Sequence, residues 1–152
     1  MPVTYRRATP EDHNQVVELV AELVDEIGLE SSAAHVKQGL DADLRAALGS
    51  PVVAIFLAVR DGEIIGVSRA DILDQDPTFR LSPDRRCGYV DQMYVRPAHR
   101  SATVGAALLQ RCEAWFLEQG VEFALLHAAV RAVRFYAKAG YVSNREMFKK
   151  LR

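Results

Sequence analysis

Residues 89–95 read YVDQMYV and run directly into RPAHRSATVG at 96–105; beyond a long apolar-periodic stretch the chain continues HAAVRAVRFYAKAGY at 127–141. An apolar strand feeding a turn of small residues at a helix start aims consecutive backbone N–H groups outward, which is how a chain binds an anion. The stretch from Tyr89 to Lys150 therefore sets both the expected architecture and the expected site.

Working outward, punctuation divides the rest into alternating elements. Val3 to Ala8 reads as a short strand. Thr9 is a helix cap, Pro10 suits the first turn, and the Asp12 carboxylate complements the helix dipole. Val16, Leu19, Val20, Leu23, Val24 and Ile27 then fall on one helical face, with Gly28 as the stop. A second amphipathic helix starts near Ser31 or Ser32, carries Val36, Leu40, Leu44 and Leu48, and ends before Gly49 and Pro51. VVAIFLAV at 52–59 and EIIGVSRADIL at 63–73 flank Arg60-Asp61-Gly62, whose Asp-Gly signals an antiparallel hairpin. Asp74 to Arg86, polar with two prolines, reads as a mobile loop. Gly88 to Val95 is the next strand, and Thr103 to Gln119 a helix burying Val104, Leu108, Cys112 and Trp115. Val121 to His127 reads as a strand, Val130 to Ala139 as a short helix and Tyr141 to Leu151 as a final strand. Such alternation predicts a mixed sheet with helices on its faces, an α/β or α+β domain.

Composition narrows the classes. The chain has 152 residues, 49% hydrophobic and 26% charged with a net charge of -1, which fits one ordinary globular domain over 1–152. No basic excess points to nucleic acid, and no apolar run is long enough to span a bilayer. The opening MPVTYRRATPEDH lacks the apolar centre of a secretory leader, so a cytoplasmic chain with no membrane partner is expected. Cys87 and Cys112 show neither CxxC nor Cys/His spacing, so they read as structural thiols with no metal site.

These residues resemble the GNAT superfamily of N-acetyltransferases, in element order over essentially the whole chain and most densely from Tyr89 to Leu151. The family's phosphate loop, R/Q-x-x-G-x-G/A, is matched by Arg100-Ser101-Ala102-Thr103-Val104-Gly105, with Thr103 where the first glycine is usual. Ala132 to Tyr141 is similar to the family's A-x-x-x-Y-x-x-x-G-F/Y stretch, and Ala129 stands where an asparagine is often found. Asn144-Arg145-Glu146-Met147 is similar to an N-E-M ending in one branch. The resemblance implies the GNAT fold, a mostly antiparallel mixed central sheet of about six or seven strands with helices on both faces. It implies acetyl-CoA as cosubstrate, no metal, direct transfer in a ternary complex to a primary amine of a small molecule or peptide, and a homodimer. The N–H groups from Ser101 to Ala106, with Arg100, would hold the pyrophosphate, and the backbone at Met93 and Val95 the pantetheine arm as an added strand. Tyr136 would touch the cofactor and donate a proton to the departing thiolate, a role suited to a phenol of pKa about 10.

A base is also required, because an ammonium of pKa near 10 is free amine only about one part in a thousand at pH 7. Asp91 is the leading candidate, placed by strand alternation on one face with Met93 and Val95 while Gln92 points to the other. Some polyamine- and amino-acid-type relatives carry Glu-Asp at the positions of Asp91 and Gln92. His127 ends an apolar strand and reads as a buried, hydrogen-bonded histidine; His99 lies in a solvated loop beside Arg100; His13 and His35 sit in helix patterns. Asp25, Glu26, Glu30, Asp71, Asp74 and Asp76 read either as an acidic rim for a cationic amine or as solvated faces. Two rival readings stay open. One is a non-catalytic CoA-binding regulatory module, which Thr103 and Ala129 favour; the other is a purely structural interaction domain, with Tyr136 packing like Phe135.

Overall fold

From Val53 to Ala58 every residue is buried, so both faces of this strand are covered and its sequence runs continuously apolar instead of alternating. It belongs to the sheet around which a computed structural model builds residues 1–28, 33–75, 83–143 and 149–151, the parts described below. The elements are β1 (Thr4–Arg7), α1 (His13–Ile27), α2 (Ala33–Leu48), β2 (Val53–Arg60), β3 (Glu63–Asp74), β4 (Arg86–Val95), α3 (Ala102–Glu118), β5 (Ala124–Leu125) and α4 (Val133–Lys138). The strands pair in sequence order, β1-β2-β3-β4-β5, antiparallel except for the parallel β4–β5 pair.

Five strands appear among the described residues, where about six or seven were expected. The difference lies in the final strand: residues 141–143 and 149–151 carry none, while 144–148, with most of the Asn144-Arg145-Glu146-Met147 ending, fall outside the described residues. The strand expected from Val121 to His127 is also shorter, since only Ala124 and Leu125 find partners, Gly88 and Tyr89 on β4. The helix expected at Val130 to Ala139 is a 3₁₀ turn, Val130–Ala132, followed by α4.

Helices cover both faces. On one, α1 and α2 lay Val16, Leu19, Val20, Leu40 and Leu44 onto Ile55, Leu57, Val67 and Tyr94. On the other, α3 lays Val104, Leu108, Cys112 and Trp115, the expected stripe, onto Phe56, Ala70 and Val90, with Tyr136 of α4 alongside. Each such aliphatic or aromatic side chain contributes roughly 1.5–3 kcal/mol when fully buried. The expected face of α1 is buried as far as Val24, but Ile27 stays 47% exposed and, with Leu23, walls a cavity. The expected start of α2 at Ser31 or Ser32 lies outside the described residues.

Local chemistry fixes the joints. Arg60 pairs with Glu63 across Asp61 and Gly62, both at positive φ (52° and 81°), which is the primed two-residue turn that Asp-Gly favours. Asp12 accepts the Thr9 N–H at 2.8 Å and the Arg6 guanidinium at 2.7 and 2.8 Å. The Arg6 guanidinium, helped by that N–H, holds the Asp12 carboxyl down at about 2, tying the first strand to the first helix. Strands β3 and β4 run further than expected toward the Asp74–Arg86 loop, and Gln75 N donates to Arg85 O at 2.7 Å; residues 76–82, including Asp76, lie outside the described residues.

Helix α3 crosses β4 at Gly88, where an added Cβ would sit 2.7 Å from three ring atoms of buried Phe116. Gly88→Ala is expected to destabilise the fold by about 1–3 kcal/mol through overpacking. Urea unfolding followed by Trp115 fluorescence measures it, and an unchanged midpoint would mean that α3 does not rest on this strand as described.

Candidate functional site

β5 holds β4 only at Gly88↔Ala124 and Tyr89↔Leu125, yet β4 continues to Val95. The two strands part, and a cavity of about 480 Å³ opens between them, walled by α1, β4, the start of α3 and α4. A β-bulge sits at this point. Val67 pairs with Tyr94 and Arg69 with Asp91, so Ser68 on β3 faces both Gln92 and Met93, and Gln92 takes φ 49°.

The bulge reverses the strand's alternation, which corrects the expected placement of Asp91. Val90, Met93 and Val95 face the α3 side, and Tyr94 faces α1 and α2. Asp91 lies directly across from Arg69, whose guanidinium reaches Asp43 of α2 at 2.8 Å and grips Asp71 at 2.9 Å. It is therefore on the α1–α2 side, opposite to Met93 and Val95. Its Oδ1 accepts the Gln92 N–H at 2.8 Å, bracing the bulge. Nothing in YVDQMYV announces this turn of phase, because the residue at left-handed φ is a glutamine and not a glycine. Around Asp91 the α1–α2 side is acidic. Burial holds the Asp71 carboxyl above its usual range despite the Arg69 guanidinium, and Asp91 and Asp43 push in the same direction.

Helix α3 begins at extended Ser101, and no side chain caps its first-turn N–H groups; the Ser101 and Thr103 hydroxyls bond each other instead, at 3.0 Å. Four N–H groups at a helix start have no intrahelical partner, so those of the first turn are open to an anion. Ser101 and Gly105 line the cavity; Thr103 is exposed; Val104 is in the core; Ala106 lines the neighbouring α3–α4 groove. A Cβ on Gly105 would meet the Phe135 ring at 3.3 Å, so this glycine lets α4 close on α3. Arg100 is committed elsewhere: it donates to Val95 O at 2.8 Å and to Glu26 Oε2 at 2.6 Å, with its guanidinium over the Tyr94 ring. Arg131 approaches the same carboxylate at 3.3 Å. Arg100, chiefly, holds the Glu26 carboxyl below its usual range, so Glu26 serves less as acidic rim than as counter-ion to two arginines.

Tyr136 is buried on α4, edge-on to Phe135 and Tyr141 with centroids 5.0 and 5.9 Å away. Burial, reinforced by Cys112 and Asp91, pushes its phenol up to about 12, so it holds its proton throughout the neutral range. His127 is exposed at the end of the β5 segment, not buried as expected, but it is hydrogen-bonded: its Nδ1 meets the Tyr89 hydroxyl. His13 is buried with Nε2 2.9 Å from Asp41 O, and His99 lies 3.5 Å from Arg60.

The profile of the acetyltransferase (GNAT) family matches residues 20–141. The chain belongs to this family. Solved GNAT structures share its fold. A GCN5-related N-acetyltransferase from Ralstonia eutropha JMP134 is 24% identical, superposes with a TM-score of 0.90 and covers 99% of both chains. A predicted acetyltransferase with acetyl-CoA from Clostridium acetobutylicum is 21% identical (TM-score 0.88; 98% of this chain, 96% of that one). Glucosamine-6-phosphate N-acetyltransferase from Arabidopsis thaliana is 16% identical (TM-score 0.74; 99% and 98%). No curated protein matches at the level of sequence. Among the described residues of this acetyltransferase, no three His, Cys, Asp or Glu side chains converge as a metal site, and no helix is long and apolar enough to cross a membrane.

The thiols of this GNAT chain are withdrawn from chemistry. Burial pushes Cys112 up to about 12 while its Sγ donates to Ser68 Oγ at 3.3 Å, and burial raises Cys87. Since the thiolate is the nucleophile, both cysteines should resist an aromatic disulfide reagent at pH 8 in the folded chain and react within seconds in denaturant. Rapid labelling of the native protein would contradict this burial.

Proposed function

We propose that the chain transfers an acetyl group from acetyl-CoA to a primary amine of a small molecule or peptide, directly and within a ternary complex. The observation that carries this reading is that one cavity is lined together by Ser101 and Gly105 at the start of α3, by Tyr136 and by Asp91. Two relatives of the same fold point to the acceptor class, one named an aminoglycoside acetyltransferase from a soil metagenomic sample and the other the glucosamine-6-phosphate enzyme.

The residues fit the cosubstrate. The open N–H groups of the first turn, from Ser101 to Val104, would receive the pyrophosphate, and Arg100 and Arg131 would add positive charge at the mouth. Met93, which has no β3 partner in the register, and Val95 would present backbone groups to the pantetheine arm. Val95 O already accepts from Arg100 and keeps a second lone pair. When bound there, acetyl-CoA supplies an acyl group activated as a thioester. Tyr136 donates its proton to the leaving sulfur. Asp91, on the acidic face with Asp71 and Asp43, holds the cationic acceptor.

Turnover should appear in a screen of spermidine, an aminoglycoside, glucosamine 6-phosphate and a lysine peptide with acetyl-CoA. Binding of acetyl-CoA without turnover on any amine would return the chain to a non-catalytic CoA-binding module. With a productive amine, Tyr136→Phe should lower kcat by about 10²- to 10⁴-fold at unchanged acetyl-CoA affinity; an unaltered kcat where chemistry limits turnover would make Tyr136 a packing residue.

For Asp91→Asn, KM for a cationic amine should rise about tenfold at low salt, an effect that shrinks as ionic strength grows. A KM that is unchanged, or a loss indifferent to salt, would remove the electrostatic role.

A further inference from the structure

Asp91 collects a charged acceptor, but its Oδ1 is already bonded to Gln92 N, and the ammonium must lose a proton before its nitrogen can attack. We propose that Tyr89 and His127 form the proton relay that removes it, an inference resting on the amine-acetylation reading above. Tyr89 pairs in register with Leu125, and His127 follows Leu125 by two residues as Asp91 follows Tyr89. Side chains two apart on a strand share a face, so Tyr89 stands beside Asp91 on β4, and His127, beyond the end of β5, is placed there by its bond to the Tyr89 hydroxyl. The Tyr89 hydroxyl and His127 Nδ1 are hydrogen-bonded, with ring centroids 5.6 Å apart. Both residues wall the cavity that also holds Asp91 and Tyr136. The imidazole is exposed, so a proton delivered to it passes on to bulk water.

The step balances. One ammonium N–H bond breaks and its proton passes to the Tyr89 oxygen; the phenol's own proton passes to His127 Nδ1, forming an imidazolium. The amine keeps the electron pair that attacks the acyl carbon, and the imidazolium sheds its proton to solvent. Tyr89 ends as it began. Chemistry favours this pair over the carboxylate: the pKa of an ordinary carboxylate, near 4, lies about six units below that of an amine near 10, whereas imidazole is the side chain that changes charge between pH 5 and 8. Among the described residues, the charged and titratable groups on the pair's side of the sheet or around the cavity are Asp91 on β4, Asp71 and Arg69 on β3, Asp43 of α2 bound to Arg69, Tyr136 on α4, Tyr141 beyond it, and Glu26 with its arginines across the cavity.

The test is kcat/KM against pH for the wild-type chain, His127→Gln and Tyr89→Phe, using the panel amine with the highest turnover. Both variants should lose about a hundredfold at pH 7, and the loss should close as pH approaches 10, where the acceptor deprotonates without help. Acetyl-CoA affinity by calorimetry should stay within about twofold, which also verifies that each variant is folded. Wild-type profiles in both variants overturn the relay. A loss equal at every pH overturns it as well, since a purely structural pair would give that result. A wild-type chain inactive on every amine removes the acetyl-transfer reading and the relay with it, whereas an active wild type with indifferent variants removes the relay alone.

Discussion

The parallel contact of β4 with β5 is two residues long, and the site follows from its brevity. Every backbone N–H and C=O must find a partner or meet water. Beyond Tyr89, β4 loses its β5 neighbour, and at Gln92 it also slips against β3. The groups released by these departures face a cavity and not the core. They form a strand edge within the sheet, apart from the outer edges of β1 and β5. The same parting brings the start of α3 and the side of α4 to the gap, since α3 leaves directly after β4 and α4 packs back onto α3 through Phe135 and Gly105.

Charge is then divided between the two ends of that opening. At the mouth, the single Glu26 carboxylate pairs with both Arg100 and Arg131, so the arginines are held in place with one positive charge left over. An anion arriving at the α3 N-terminus competes for them with a carboxylate, and exchange of one oxyanion for another costs less than uncovering a bare guanidinium. At the far side the cavity is lined by Asp91, and behind it Asp71 and Asp43 share one arginine, Arg69, the register partner of Asp91. The opening therefore presents positive charge at one end and negative charge at the other.

Much of this was legible in the residues, and the failures have one cause. Helix faces such as Val16, Leu19, Val20 and Val24, the Asp61-Gly62 turn, and the stripe from Val104 to Trp115 are local patterns, and local patterns carried over. The facing of Asp91 did not, because period-2 alternation assumes an unbroken strand and the bulge at Gln92 carries no glycine to mark it. The length of β5 and the exposure of His127 failed for a related reason: both depend on where two strands part, which is a property of the pair and not of either sequence. Arg100 was matched to its motif, but its pairing with Glu26 joins residues 74 positions apart, and no motif spans that distance.

Burial decides which groups can trade protons. Tyr136 and Cys112 are both driven up to about 12 by burial, with opposite consequences. A thiol that stays protonated is a poor nucleophile, so burial silences Cys112; a phenol that stays protonated keeps a proton to give, although the same burial makes Tyr136 a weaker acid than an exposed tyrosine. Tyr136 sits with the α3-side core, whereas Asp91 stands on the α1–α2 side. The Tyr136 phenol and the Asp91 carboxylate thus belong to opposite sides of one sheet, on either side of a gap in it. That gap opens where β4 leaves β5, which is why residues from the two sides of the sheet line one cavity there.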